Sequence, residues 1–292
     1  MGAKHDLQHS MIKVLEYNKD GSFNTQHARK KALLQSAAQL CDGGYKLGHV
    51  QGLKQKHIRY LNEKWKGEGI SAATIKNRNA HLRWVCHKIG KRDVVQSNDE
   101  LGIAKRKYVT NEDKSVELDQ IDFKQISSPH VRVQLHLQRH LGLRREEVIK
   151  FKPHQADKGD HIELQASWCK GGRARTVPVL TAEARQALEE AKKLAENKGD
   201  SLIKNDQSYK TARKLYENQT QRAGLKHAHG LRHAYAQQRY KELTGWDAPC
   251  RGGPKKSEMT PTQKARDKYA REILTAVLGH SRTSIVARYI GS

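Results

Sequence analysis

Cysteines, acids and long apolar runs are all scarce in this chain of 292 residues. The four cysteines, Cys41, Cys86, Cys169 and Cys250, lie far apart with no paired spacing. That excludes a disulfide framework and a cysteine-rich zinc site, and leaves reduced, structural thiols. No stretch approaches the ~18 apolar residues of a spanning helix. The start, Met1-Gly-Ala-Lys-His-Asp, leads into no apolar run, so neither a membrane partner nor a secretory leader is expected. A phosphate-cradling Gly-x-x-x-x-Gly-Lys-Ser/Thr loop is missing, as is any carboxylate group suited to Mg²⁺. No cofactor and no metal are expected. There is no internal repeat and no low-complexity segment.

What is abundant is positive charge. Lys and Arg number 55 against 31 Asp and Glu, a formal net charge of +24. The excess is no tail: residues 1–110 hold 21 cations and 9 acids, and residues 111–292 hold 34 and 22, so each half carries +12. Self-repulsion of that size implies a polyanionic partner, nucleic acid or an anionic membrane surface, and with no spanning run the expectation is nucleic acid. Equal charge on both halves suits a protein that wraps its polymer better than a globule with a basic arm.

The length is enough for two domains with real cores. Residues 1–22 are polar and mixed and read as a flexible arm. Three helices follow: one from Thr25 to about Cys41, one near Lys54 to Trp65, and one opening at the N-cap Ser71 and closing at Gly90. They make residues 23–95 a small basic helical domain. On the third helix Lys76, Arg78 and Arg83 lie off the apolar stripe, where an excess of one sign favours phosphate contact. Residues 96–117, with Lys105, Arg106 and Lys107, show no periodicity and read as a basic linker that can itself track a DNA backbone. A second domain, 118–292, is expected to be mainly α. It opens with a short helix near Asp119–Ile126 and another from Ser128-Pro129 to Gly142. Residues 155–180 alternate and turn like a small antiparallel sheet. Helices then fit near 181–197, 208–223, 229–243 and 260–277.

Five pieces of the second domain carry chemistry. Gly142-Leu-Arg144-Arg-Glu-Glu147 sets an arginine and a glutamate three apart at a helix start. Lys170 sits at a glycine-rich hairpin tip. His229-Gly-Leu-Arg232-His233 puts a histidine and an arginine one turn apart, able to converge on one anion. Leu278-Gly279-His280 adds a histidine at a tight turn, and Tyr289 follows nine positions later. Each alone has a bland explanation: a surface ion pair, a loop lysine, a structural histidine, a packing tyrosine.

In this order the five pieces resemble the catalytic signature of the tyrosine recombinases, the phage-integrase family. Gly69-Ile-Ser-Ala-Ala-Thr-Ile-Lys-Asn77 resembles that family's core-binding domain. The resemblance implies a two-domain clamp, a helical core-binding domain plus a catalytic domain, acting as a site-specific recombinase without metal or ATP. It implies Tyr289 as the nucleophile that forms a 3′-phosphotyrosyl intermediate. Arg144 and Arg232 would clamp the scissile phosphate, Lys170 would protonate the leaving 5′-oxygen and His229 would assist proton transfer at the tyrosine. His280 would hydrogen-bond the phosphate, and Glu147 would support the site from behind. A homodimer on each site, a tetramer in the synapse and DNA-bending accessory proteins are implied too, as are integration or excision of a mobile element and a cytoplasmic, nucleoid-associated location. The physics is consistent: planar guanidinium forks match phosphate oxygens and stay charged, and a tyrosine near pKa ~10 needs cations or a base to attack.

Some features depart from the pattern. The register of the first arginine rests on Gly-Leu-Arg-x-x-Glu, with Arg145 as the alternative. Between Arg232 and His280 lie 47 residues, more than expected, and the excess at about 244–260 reads as a Gly/Pro-rich basic insertion that either covers the site, touches DNA or is a tolerated loop. Three residues follow Tyr289, so the C-terminal segment that relatives exchange between subunits is expected to be largely missing. Two other functions fit in part: a type IB topoisomerase, which relaxes DNA without exchanging partners, and a DNA-binding protein with a decayed site. The small helical N-terminal domain and the complete motif set favour the recombinase.

Overall fold

The computed structural model describes residues 3–292, with side chains from residue 5 onward. It divides into two compact units, residues 1–107 and 108–292.

The first unit is four helices: α1 (Ala3–Tyr17), α2 (Phe23–Asp42), α3 (Gln55–Gly67) and α4 (Ala72–Lys88). Serines start two of them. Ser22 accepts a hydrogen bond from the Thr25 amide, and Ser71 does the same for Thr74, so unpaired amides of the first turn gain a partner. The expected N-terminal arm is corrected here, apart from residues 1 and 2, which lie outside the described residues. Leu7 and Met11 of α1 are fully buried with Val14 and Leu15 packed beside them. That i, i+4, i+7, i+8 stripe is helical, and the polar residues between its members conceal it. Ser10 of α1 accepts the Val50 amide at 2.9 Å, which anchors the helix further. Leu33, Leu40, Ile58, Leu61, Trp65, Leu82 and Val85 complete the core. Asn62 and Asn79 are buried inside it and pair their amides reciprocally at 3.2 and 2.8 Å. Each thereby satisfies groups that burial would otherwise leave costly.

Residues 96–117 form no helix or strand. They are nonetheless packed: Leu101 and Ile103 are buried in the first unit's core, while Val116 donates its amide to the Gly230 carbonyl in the second unit at 3.1 Å.

The second unit contains α5 (Pro129–Leu141), α6 (Arg145–Ile149), α7 (Pro153–Ala156), β1 (His161–Leu164), β2 (Arg175–Pro178), α8 (Ala182–Leu194), α9 (Tyr209–Arg222), α10 (His229–Thr244), α11 (Pro261–Val277) and α12 (Ala287–Ile290). The sheet is one antiparallel pair with His161 opposite Pro178 and Leu164 opposite Arg175. The short helix expected near Asp119 is two 3₁₀ turns instead, Leu118–Gln120 and Phe123–Gln125. Pro129 opens α5 at the position where a missing N–H costs nothing. Thr260 and Gln263 cap α11 reciprocally. The core joins α5, α8, α10 and α11 through Leu137, Leu188, Ala236 and Leu274, with Val286 and Ile290 from the end of the chain. The expected insertion is folded onto this core: Ala248 is buried, and Trp246 and Cys250 pack against the cluster.

Candidate active site

Two glycines bring distant backbone together. Gly142 ends α5 at φ +61°, and a Cβ there would overlap the Tyr235 ring. Gly279 turns the chain after α11 at φ +62°, where a Cβ would press on the Arg175 side chain. Both positions demand glycine for conformation and for space. The carbonyls exposed by these turns become the seats of the arginines.

Arg232 is fully buried on α10. It donates Nη1 to the Gly142 carbonyl and Nη2 to the Leu278 carbonyl. Its Nε lies 3.4 Å from the Tyr289 hydroxyl. Desolvation pushes its pKa down to about 10, so it remains a cation at neutral pH. Arg144 precedes α6 and donates Nη2 to the same Leu278 carbonyl at 2.9 Å, and to Gly279 at 3.3 Å. One carbonyl therefore gathers two guanidiniums. Like charges so close need a counter-charge, and Glu147 supplies it.

Glu147 has no exposed surface. Its carboxylate accepts Arg144 Nη1 at 2.7 Å and the Arg144 amide at 2.7 Å. It also accepts both terminal nitrogens of Arg175 at 2.8 and 2.7 Å. Burial acts to raise the Glu147 pKa, but the hydrogen bonds and charge of Arg175, followed by Arg144, outweigh it and hold the group at about 2. Arg175, on β2, also donates Nε to the Val277 carbonyl at 2.8 Å, and so ties the sheet to the turn that carries His280. Arg145, the alternative register, points elsewhere: it pairs with Glu217 at 2.7 Å on the surface.

Tyr289 stands in the middle, 6% exposed. Its hydroxyl is 3.2 Å from His229 Nε2. Three imidazoles surround its ring, with centroid distances of 5.5 Å to His229, 4.7 Å to His233 and 5.5 Å to His280. The Arg232 guanidinium lies 5.6 Å from the ring centre. His280 is pushed down to about 3 by desolvation first and by Arg232 and Arg144 next. His229, on a solvent-accessible side of the site, is pushed down to about 4, by desolvation first and then by Arg232, His233 and Arg144. Both are neutral imidazoles at neutral pH. His280 Nε2 has no hydrogen-bond partner among the described residues.

Lys170 stands apart. It is exposed on the β1–β2 connection, where Gly171 and Gly172 are both left-handed, and it makes no hydrogen bond or ion pair to the site among the described residues. Its neighbour Cys169 does reach the site's rear, accepting from Arg175 Nη1 at 3.4 Å. The candidate DNA contacts divide. Lys105 and Lys107 are exposed and Lys76 half-buried. Arg83 is turned inward onto the Gln96 carbonyl and Asn98, Arg106 onto the Ala73 carbonyl and Asn77, and Arg78 lies 5.0 Å over Trp65.

Three residues of the site carried no role in the sequence. His233 and Gln237 follow His229 at i+4 and i+8, and this helical spacing was the available signal. Arg175 left none, because its partner is 28 residues away.

The second unit thus packs a two-stranded sheet among helices and brings arginines, histidines and a buried tyrosine together at one point. Residues 105–238 match the family model described as "Integrase", and residues 5–95 match "Phage integrase, N-terminal". The chain belongs to the phage-integrase family of tyrosine recombinases, site-specific enzymes that break and rejoin DNA. The first of these matches ends before His280 and Tyr289. Among solved structures, the chain resembles a lambda integrase dimer bound to a COC′ core site (TM-score 0.61, 15% identity, 97% of this chain and 94% of that one). It also resembles the XerH site-specific recombinase in a post-cleavage complex (0.62, 17%, 97% and 80%) and the Tn1549 transposon integrase with circular-intermediate DNA (0.53, 14%, 98% and 95%). At such identities the likeness is one of fold. No curated protein sequence matches the chain.

Proposed function

We propose that Tyr289 is the nucleophile of a site-specific recombinase that integrates or excises a mobile element. The observation that carries this is the seat of its hydroxyl, between a neutral His229 and a buried Arg232 cation. A neutral imidazole can take the phenolic proton; an imidazolium could not. The Tyr289 oxygen attacks the scissile phosphorus, a 3′-phosphotyrosyl bond forms and the bond to the 5′-oxygen breaks. That oxygen leaves as a hydroxyl with a proton from Lys170, which must approach from its exposed turn when DNA is bound. Attack by another 5′-hydroxyl reverses the step, returns the tyrosine and conserves the bond energy. Arg144, Arg232 and the unpartnered His280 Nε2 face the charge that grows on the phosphate oxygens, and their prior fixation by carbonyls and Glu147 removes the need to reorganise.

Double-stranded DNA is the partner. Lys76, Lys105 and Lys107 are offered as its backbone contacts in the first unit. A dimer on each site and a tetramer in the synapse complete the reading; the lambda integrase structure, a dimer on its core site, supports the first of these. The test is a nicked suicide substrate carrying the element's own junction. Wild-type protein should trap a covalent adduct, and Tyr289→Phe should trap none. Absence of adduct with wild-type protein, or its persistence in Tyr289→Phe, refutes the assignment. Robust relaxation of a supercoiled plasmid without the junction would instead indicate a topoisomerase.

A further inference from the structure

The helix that carries Tyr289 is a single turn, Ala287–Ile290. A helix so short has no stability of its own, so its orientation is set by whatever holds its backbone. Val286 and Ile290 bury its flanks in the core, Arg271 donates Nη1 to the Gly291 carbonyl at 3.1 Å, and one buried amide reaches the backbone of Tyr289 itself. Gln237, 2% exposed on α10, donates Nε2 to the Tyr289 carbonyl at 3.1 Å. It lies two turns beyond His229 and one beyond His233, so one face of α10 meets both the ring and the backbone of the tyrosine.

A carboxylate directs that amide. Gln237 Nε2 also donates to Asp113 Oδ1 at 2.8 Å, while Gln237 Oε1 has no partner. The amide nitrogen thus faces three acceptors, of which the Asp113 carboxylate is the nearest and the charged one, and its unsatisfied oxygen is the cost of that orientation. Asp113 belongs to the irregular segment through which the chain enters the second unit, 124 residues before Gln237. It is itself held by the Ser115 amide at 2.9 Å and by Arg251 Nε at 3.1 Å. Arg251 lies in the connection between α10 and α11, the stretch read from sequence as an insertion. In the same connection, Cys250 places its Sγ 3.6 Å from the Tyr289 carbonyl and 3.3 Å from Gln237 Nε2.

We propose that Asp113 is a positioning residue for strand cleavage, orienting the Tyr289 helix through Gln237, with Arg251 of the α10–α11 connection holding the carboxylate in place. The entry segment and the insertion thus meet at the nucleophile's backbone. The inference rests on Tyr289 being the nucleophile.

The experiment measures covalent-adduct formation by the full chain at saturating protein, alongside equilibrium DNA binding, for wild type, Asp113→Ala, Asp113→Leu and Arg251→Gln. Two substrates are used: a phosphodiester, and a 5′-bridging phosphorothiolate whose thiolate leaves without a proton. A misplaced attacking atom should slow Asp113→Ala by roughly tenfold or more, leave the Kd for DNA within about twofold, and give the same loss on both substrates. Arg251→Gln, at the surface, should show a smaller loss of the same kind. The proposal is overturned if Asp113→Ala cleaves at the wild-type rate, if its loss is matched by weaker binding, or if the phosphorothiolate restores it. Should thermal melting show that Asp113→Ala is unfolded, the similarly sized Asp113→Leu, which keeps no acceptor for Gln237, decides, and wild-type cleavage by that variant is fatal. A wild type that forms no adduct refutes the assignment of Tyr289 itself, and is told apart from failure of the coupling by that control.

Discussion

Residues 1–107 and 108–292 carry the same excess of positive charge, +12 each, and deploy it in opposite ways. In the first unit the buried arginine lies on an aromatic face: Arg29 is 3.8 Å from the Trp84 ring centre, while Lys105 and Lys107 stand in solvent. In the second unit the arginines of the site are walled in by backbone carbonyls and one carboxylate. A solvated cation is screened and contributes through numbers, as phosphate tracking requires. A desolvated and prefixed cation acts strongly on one developing charge. Under the proposed function, equal charge counts therefore cover two roles, attraction and chemistry, and burial separates them.

The comparison breaks first at Arg232. Arg232→Met should lower the rate of adduct formation by roughly 10³-fold at saturating protein, since a prefixed donor is lost from the charge-stabilising set; DNA binding should barely change. A rate within tenfold of wild type would mean that Arg232 is only a core residue.

Next is Glu147. Replacing it with Gln leaves Arg175 buried without its counter-charge, so stability should fall by about 3–5 kcal/mol in urea unfolding. Acid should act alike. Because the folded carboxylate is held at about 2 against an ordinary 4.5, its contribution is fully present above the ordinary value and is lost as pH falls from one toward the other. A Glu147→Gln variant should lack that acid-sensitive component, and an unchanged acid profile would contradict the buried network.

Histidines give a smaller effect at milder pH. His280 and His229 are held neutral in the folded protein and protonate more readily when unfolded, so stability should decline as pH drops below 6.5. In NMR titration of the DNA-free protein, the His280 imidazole should titrate near 3, far below the ordinary 6.5. A midpoint at 6 or above would show that neither burial nor the arginines act on it.

The smallest effects belong to the first unit. Lys107→Ala should weaken binding about equally on cognate and unrelated DNA and reduce the salt slope by about one, with the cleavage rate at saturation unchanged. Loss of cleavage instead would erase the distinction between the two units.

Much of this was legible along the chain. The α10 spacing announced that His229 and Arg232 share a face, and Thr260-Pro261 announced α11, because caps and helical period act over a few residues. The arm at residues 1–22 misled for an equally local reason: its composition is polar, and only the position of four apolar side chains, checked against a core, reveals α1. Lys170 was read at a glycine-rich hairpin tip and stands there, exposed; what the motif could not encode is that the turn leaves it without a hydrogen bond or ion pair to the other site residues among those described. Asp113 and Arg175 were invisible, since a carboxylate gains a role only when a partner many residues away is brought to it.

The sequence alone determined the inventory and the local frame: which residues can bear charge, which share a helical face, and where glycine permits a turn. Only the tertiary structure decided that the Leu278 carbonyl holds both Arg144 and Arg232, that Glu147 joins Arg144 to Arg175, and that Asp113 reaches Tyr289 through Gln237. The reason is range. Sterics and helical period act between near neighbours, whereas these contacts depend on how the whole core packs, and a shift of an ångström or two there would leave the motifs intact and the site apart.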